Sequence, residues 1–286
     1  MTLSILFVSS LVAAASPPSG DSLETGRDLY LEHCAECHGA SGRGDGEKAK
    51  RLGFRPRDFT LGAFKCRSTP TGSPPTHEDL TRIVARGIPG TPMLPFDDDL
   101  EPAEIDALVT YVETLLPDPS GGQPPPVLEV PTPLESTEAS RREGRAIYRL
   151  LGCWRCHGLD GEGDGPAAEG LEDQWGEPIR VYDFTRRNRF KCGGRPRDIY
   201  RTLHTGMTGS PMPSFTTAFA FGRDQVGATE RLEQALGAEA VDRTLAWLAE
   251  QPTAAEIREL DETARAQLVE RRTWSLVHHL LALASE

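Results

Sequence analysis

Two copies of one short unit constrain this chain more than any other feature. "CAECH" occupies residues 34–38 and "CWRCH" residues 153–157, each followed by a glycine-rich turn, "GRGDG" and "GEGDG". In both, two thiols and a histidine share a single helical turn. A whole module repeats around them, which is the mark of a tandem architecture. Each half opens on a helix-like segment with a glycine and an aromatic four residues apart, Gly26 with Tyr30 and Gly144 with Tyr148. Asp-Phe-Thr follows at 58–60 and 183–185, then Phe-Lys-Cys at 64–66 and 190–192. A short helical pattern then leads into a Pro-Met loop. Met93 stands 55 residues after His38, and Met212 stands 55 after His157.

Residues 117–137 hold seven prolines and a Gly-Gly pair, a composition that excludes both a helix interior and a central strand. A semi-extended linker is expected there. It separates a module over 16–116 from a second over 138–286, and an all-α fold is expected for both. Ile105, Leu108, Val109, Val112 and Leu115 form one apolar face at helical spacing, closing the first module. The matching face in the second module holds Leu276 and Leu280. An insertion over about 216–266, helical in pattern, therefore separates that closing helix from the Pro-Met loop.

At 286 residues the chain has room for two cores. Its net charge of −12 argues against nucleic acid and anionic membranes and favours basic protein partners. Residues 1–15 read as a signal peptide, with an apolar run from Leu3 to Val12 and small residues at Ala13–Ala15. That run is shorter than the roughly 18–20 apolar residues needed to span a bilayer, so export is expected, not anchoring.

Cys-x-x-Cys-His is the attachment site of c-type haem: each thiol adds across a vinyl group and the adjacent histidine reaches the iron. A redox dithiol or half a zinc site are rival uses of Cys-x-x-Cys. The first belongs in a strand-helix context and the second needs another Cys or His pair, and neither explains the duplicated histidine. The expected cofactors are two covalent haems, held by Cys34, Cys37 and His38 and by Cys153, Cys156 and His157. Met93 and Met212 are the candidate sixth ligands. Met207 competes in the second half but aligns with Ile88. His/Met ligation fills both axial positions and raises the potential, which suits electron transfer.

These residues resemble those of class I cytochromes c, and in particular di-haem cytochromes of two fused class I modules. The resemblance rests on "CAECH", "CWRCH", the loops "TPMLPF" and "SPMPSF", and the glycine-aromatic helix facing a closing helix. It implies a periplasmic or otherwise exported carrier of single electrons between redox proteins, with no small-molecule substrate. The segment "FKCRSTPTGSPPTHEDL" is similar to one in cytochrome subunits of respiratory oxidoreductase complexes, implying a dedicated partner, a redox protein or a membrane respiratory complex; such relatives would carry Phe where Cys66 stands. The alternative is a di-haem enzyme, a peroxidase or a sulfur-compound dehydrogenase, which needs an open or displaceable axial position.

Other residues leave more than one reading. Cys66 and Cys192 occupy equivalent places, and the plainest expectation is two buried free thiols packing as small hydrophobes. A bond between them across a pseudo-two-fold interface is the second reading, and thiolate ligation of a haem iron the third. Arg57, Arg67 and Arg187 are either propionate partners or plain surface charge. His33, His77 and His204 read as surface or loop residues, His278 as exposed, and His279 as an interhelix packing position aligned with Tyr111.

Overall fold

The computed structural model describes residues 20–51, 55–117, 125–186, 190–226, 234 and 236–284. The expected signal peptide and Arg187 lie outside the described residues. Among those residues the secondary structure is helical, with a single isolated β-bridge between Glu172 and Pro178. The first module contains α1 (Gly20–His33), α2 (Ala35–His38), α3 (His77–Arg86) and α4 (Pro102–Thr114). The second contains α5 (Glu138–Leu150), α6 (Trp154–His157), α7 (Pro196–Thr205), α8 (Ala238–Ala249), α9 (Ala254–Glu259) and α10 (Glu262–Leu283).

Local chemistry places these helices. Thr76 caps α3 by accepting from the Asp79 amide, and the Asp79 carboxylate returns the bond to the Thr76 amide. Pro102 opens α4 and buries Ile105, Leu108, Val109 and Val112, the face expected from the 3.6-residue period. Opening and closing helices cross in both modules at the repeated glycine. A β-carbon on Gly26 would sit 2.0 Å from the Ala107 carbonyl oxygen, and one on Gly144 only 1.9 Å from that of Ser275. Only hydrogen allows backbones this close.

Helix α10 starts at Glu262, so the last residues assigned by pattern to the insertion belong to the closing helix. Arg272, fully buried on α10, ties the intervening segment down. Its Nη1 donates to the carbonyls of Phe219 and Phe221 and its Nη2 to Gln251, with the guanidinium over the Phe221 ring. The linker residues from 125 onward contact both modules: the Leu128 amide donates to the Ser68 carbonyl, Val130 is buried in the second core, and Arg197 donates to the Val130 carbonyl.

Two histidine readings are corrected. His204 and His278 are buried, not exposed. His204 faces Thr273 on α10, and His278 is held between Ser140 and the Leu134 carbonyl of the linker. A helical period reports which face a residue occupies but not what later segment covers it. His279 packs edge-on against Tyr148, as Tyr111 packs on Tyr30.

Burial pushes His204 down to about 4 and His279 down to about 3, the latter helped by Arg145 and Arg149. Both stay neutral when folded but protonate near their ordinary value when unfolded. The unfolded state therefore binds more protons from about pH 6.5 down to the folded values, and stability falls as pH falls through that window. Urea unfolding of the second module is expected to lose about 2 kcal/mol per histidine between pH 7 and pH 5. His279→Tyr should remove about half of that slope; an unchanged slope would contradict the account.

The two modules meet at a covalent seam. Cys66 and Cys192 form a disulfide with a Cα–Cα separation of 4.8 Å, which overturns the free-thiol reading. The residues are equivalent in the repeat, so the bond joins like to like. Arg67 is buried beside it and bonds to the carbonyls of Phe64, Pro70 and Thr205 and to the Thr208 hydroxyl. It therefore serves the interface, not a propionate. Arg57 stacks on Trp175 of the other module at 4.6 Å.

Candidate functional site

The two Cys-x-x-Cys-His units are held by the same bonds. The Tyr30 hydroxyl donates to the Gly39 carbonyl at 2.6 Å, and Tyr148 to Gly158 at 2.6 Å. The turn folds back likewise, with the Gly44 amide on the His38 carbonyl and the Gly163 amide on that of His157. Each histidine stacks on a phenylalanine, His38 on Phe59 at 4.5 Å and His157 on Phe184 at 4.3 Å. His38 Nδ1 lies 3.1 Å from the Arg57 carbonyl and His157 Nδ1 lies 3.2 Å from that of Tyr182. A carbonyl only accepts, so Nδ1 carries the proton and Nε2 keeps its lone pair, the tautomer required of a metal ligand. Burial lowers both imidazoles, in His38 with the Arg57 charge adding, and keeps them neutral.

The thiols read differently from those of a redox dithiol. Burial pushes Cys34 up to about 12, with Cys37 adding, and burial pushes Cys153 up to about 12. A dithiol nucleophile needs the opposite shift. Among the described residues no group of three or more His, Cys, Asp or Glu is placed to hold a metal ion.

In the second module Cys153, Cys156, His157 and Met212 line one cavity of about 360 Å³, walled by Phe184, Leu203 and other apolar side chains. That volume lies in the range of cofactor clefts. Met207 lines it too, but the hairpin settles the correspondence. The Met207 amide bonds the Met212 carbonyl as the Ile88 amide bonds that of Met93. Gly87 and Gly206, at φ +62° and +63°, turn α3 and α7 into these loops. The donor set is two thiols, an imidazole with a free Nε2 and a thioether around an apolar cavity, and it fits a covalent haem. In the first module Cys34, Cys37, His38 and Met93 occupy the corresponding places. Sequence reasoning missed Lys65 and Lys191, which also line the cavity and whose only sequence signal was the repeated Phe-Lys-Cys.

Residues 21–112 match the family of cytochrome c oxidase, cbb3-type, subunit III, and residues 142–252 match the cytochrome c family. A chain in the structure of the Kuenenia stuttgartiensis reducing HAO-like protein complex is 33% identical, with a TM-score of 0.69. The alignment covers 91% of this chain and 96% of that one. This chain belongs to the c-type cytochromes. It is a di-haem cytochrome c of two modules in tandem, with one covalently bound haem in each. No curated protein matches the cytochrome. The second family match ends at 252, short of α10, yet α10 is the helix that crosses Gly144.

Proposed function

We propose that this cytochrome is an exported carrier passing single electrons between redox protein partners. In this reading Cys34, Cys37, Cys153 and Cys156 attach the haems, and His38 with Met93 and His157 with Met212 are the axial ligands. One-electron chemistry is what the haem supplies when bound. The chain's own residues orient and insulate. The carbonyls of Arg57 and Tyr182 fix each imidazole by its Nδ1–H, the phenylalanine stacks keep the rings from turning, and the apolar walls exclude water. The observation that carries the proposal is the convergence of His157 and Met212 on one cavity, which favours a saturated iron over an open catalytic one.

Export is supported by the Cys66–Cys192 bond, which persists in oxidising compartments. Among the described residues no helix is long and apolar enough to cross a membrane. The relative's place in a redox complex supports a dedicated protein partner, and the net charge of −12 supports a basic docking face on it. Between its Pro-Met loop and its closing helix the second module carries the stretch around α8 and α9, which the first module lacks, so two separable potentials are expected.

Near-infrared spectroscopy of the oxidised protein tests the ligand set. Met93→His and Met212→His should each abolish one module's iron–methionine band and lower that haem's potential by on the order of 0.1 V, within the roughly 0.8 V that axial ligands command. A high-spin haem, or a module that keeps its band, would turn the reading towards an enzyme.

A further inference from the structure

The cavity of the second module has a charge pattern at odds with the rest of the molecule. The chain carries 43 acidic side chains against 31 Lys and Arg. Yet the charged side chains lining this cavity, among the described residues, are Lys65, Lys191 and Arg180, with no carboxylate. Arg180 is exposed, while both lysines are half-buried. Lys65 is not a residue of the second module at all. It precedes Cys66, and the bond from Cys66 to Cys192 carries it across the seam beside Lys191.

Two ammonium groups at a greasy wall repel each other and lose hydration, a costly arrangement unless an anion joins them. Burial pushes Lys65 down to about 8, with Arg57 and Lys191 adding and Asp173 opposing, and burial lowers Lys191 as well. The group that fills this cavity brings its own anions, since a haem carries two propionate carboxylates.

We infer that Lys65 of the first module, beside Lys191 of the second, holds the propionates of the second module's haem, so that this site is completed by a residue from the other half of the chain. This rests on the di-haem carrier reading and extends it. The second haem's potential is then set partly by the first module, through a cation that favours the reduced, less positive iron. Lys65 is a positioning residue: it acts on the haem's charge and seating, not on the iron.

Redox titration of the full-length holoprotein tests it, with the second module's transition assigned by its displacement in Met212→His. In Lys65→Met, at a fixed solution potential, the oxidised-to-reduced ratio of that haem should rise on the order of tenfold, as loss of one unit charge at short range implies. The first module's transition should stay in place, Lys65→Arg should restore the original value, and Lys50→Met, an exposed lysine paired with Glu47, should move neither. Should the methionine variant fail to mature, Lys65→Gln gives the same comparison. Two haems by mass with an unmoved second transition, or movement of the first instead, overturns the inference alone. Fewer than two haems in the parent protein overturns the carrier reading beneath it.

Discussion

Alanine in place of Gly144 is expected to cost the second module about 3 kcal/mol or more. An alanine inside a helix ordinarily gains up to ~1 kcal/mol over glycine, so propensity alone predicts the opposite sign. Here the new methyl carbon would lie 1.9 Å from the Ser275 carbonyl oxygen, 2.5 Å from its carbon and 2.9 Å from the His279 β-carbon. The first two belong to α10 backbone and cannot rotate away. The helices must separate, and separation loosens Ile147, Tyr148, Leu276 and Leu280 together and frees the ion pair of Arg271 with Glu143. Overpacking of this kind typically costs 1–3 kcal/mol, and a main-chain clash stands at the upper end. Gly26→Ala should behave alike in the first module, where Ala107 is met at 2.0 Å. Urea unfolding followed through the haem absorption would read both; a neutral or stabilising result would mean the helices can part without loss.

Removal of the inter-module disulfide is the second large effect. Cys66 and Cys192 close a loop of 126 residues, and chain entropy puts such a crosslink at roughly 5 kcal/mol, an upper figure because crosslinks commonly deliver less. The serine pair should lower stability by about 2–5 kcal/mol, because Arg67 and Thr71 still bond across the seam to the Thr205 carbonyl. The substitution at position 66 matters separately. Cys66 sits at φ +59°, left-handed backbone that a non-glycine residue occupies at a cost of roughly 1–2 kcal/mol. Cys66→Gly with Cys192→Ser should therefore lose about 1 kcal/mol less than the serine pair. Equal losses in the two double variants would remove backbone strain from the account.

Much of the candidate site was legible because it is written in short spacings. Two thiols and a histidine on one turn, a methionine at the same distance from each histidine, and an apolar face repeating along α4 are local relations that one turn of helix or one loop enforces. The repeat supplied the rest: Tyr30 and Tyr148, Phe59 and Phe184, and Ile88 and Met207 take matching roles, as alignment of the halves requires.

What no spacing carried was the relation between segments far apart in the chain. By itself the sequence determined two helical modules and their two haems, and it supplied the candidate residues to hold them, since local geometry and an internal repeat suffice for these. Only the tertiary structure decided that Cys66 meets Cys192, that Arg67 is spent on the seam, that α10 and the linker bury His204 and His278, and that Lys65 reaches the other module's cavity. Those contacts depend on how two rigid bodies are rotated against each other and on which late segment covers an early face. Such choices are made by shape and burial summed over the whole interface, and no stretch of residues encodes them alone.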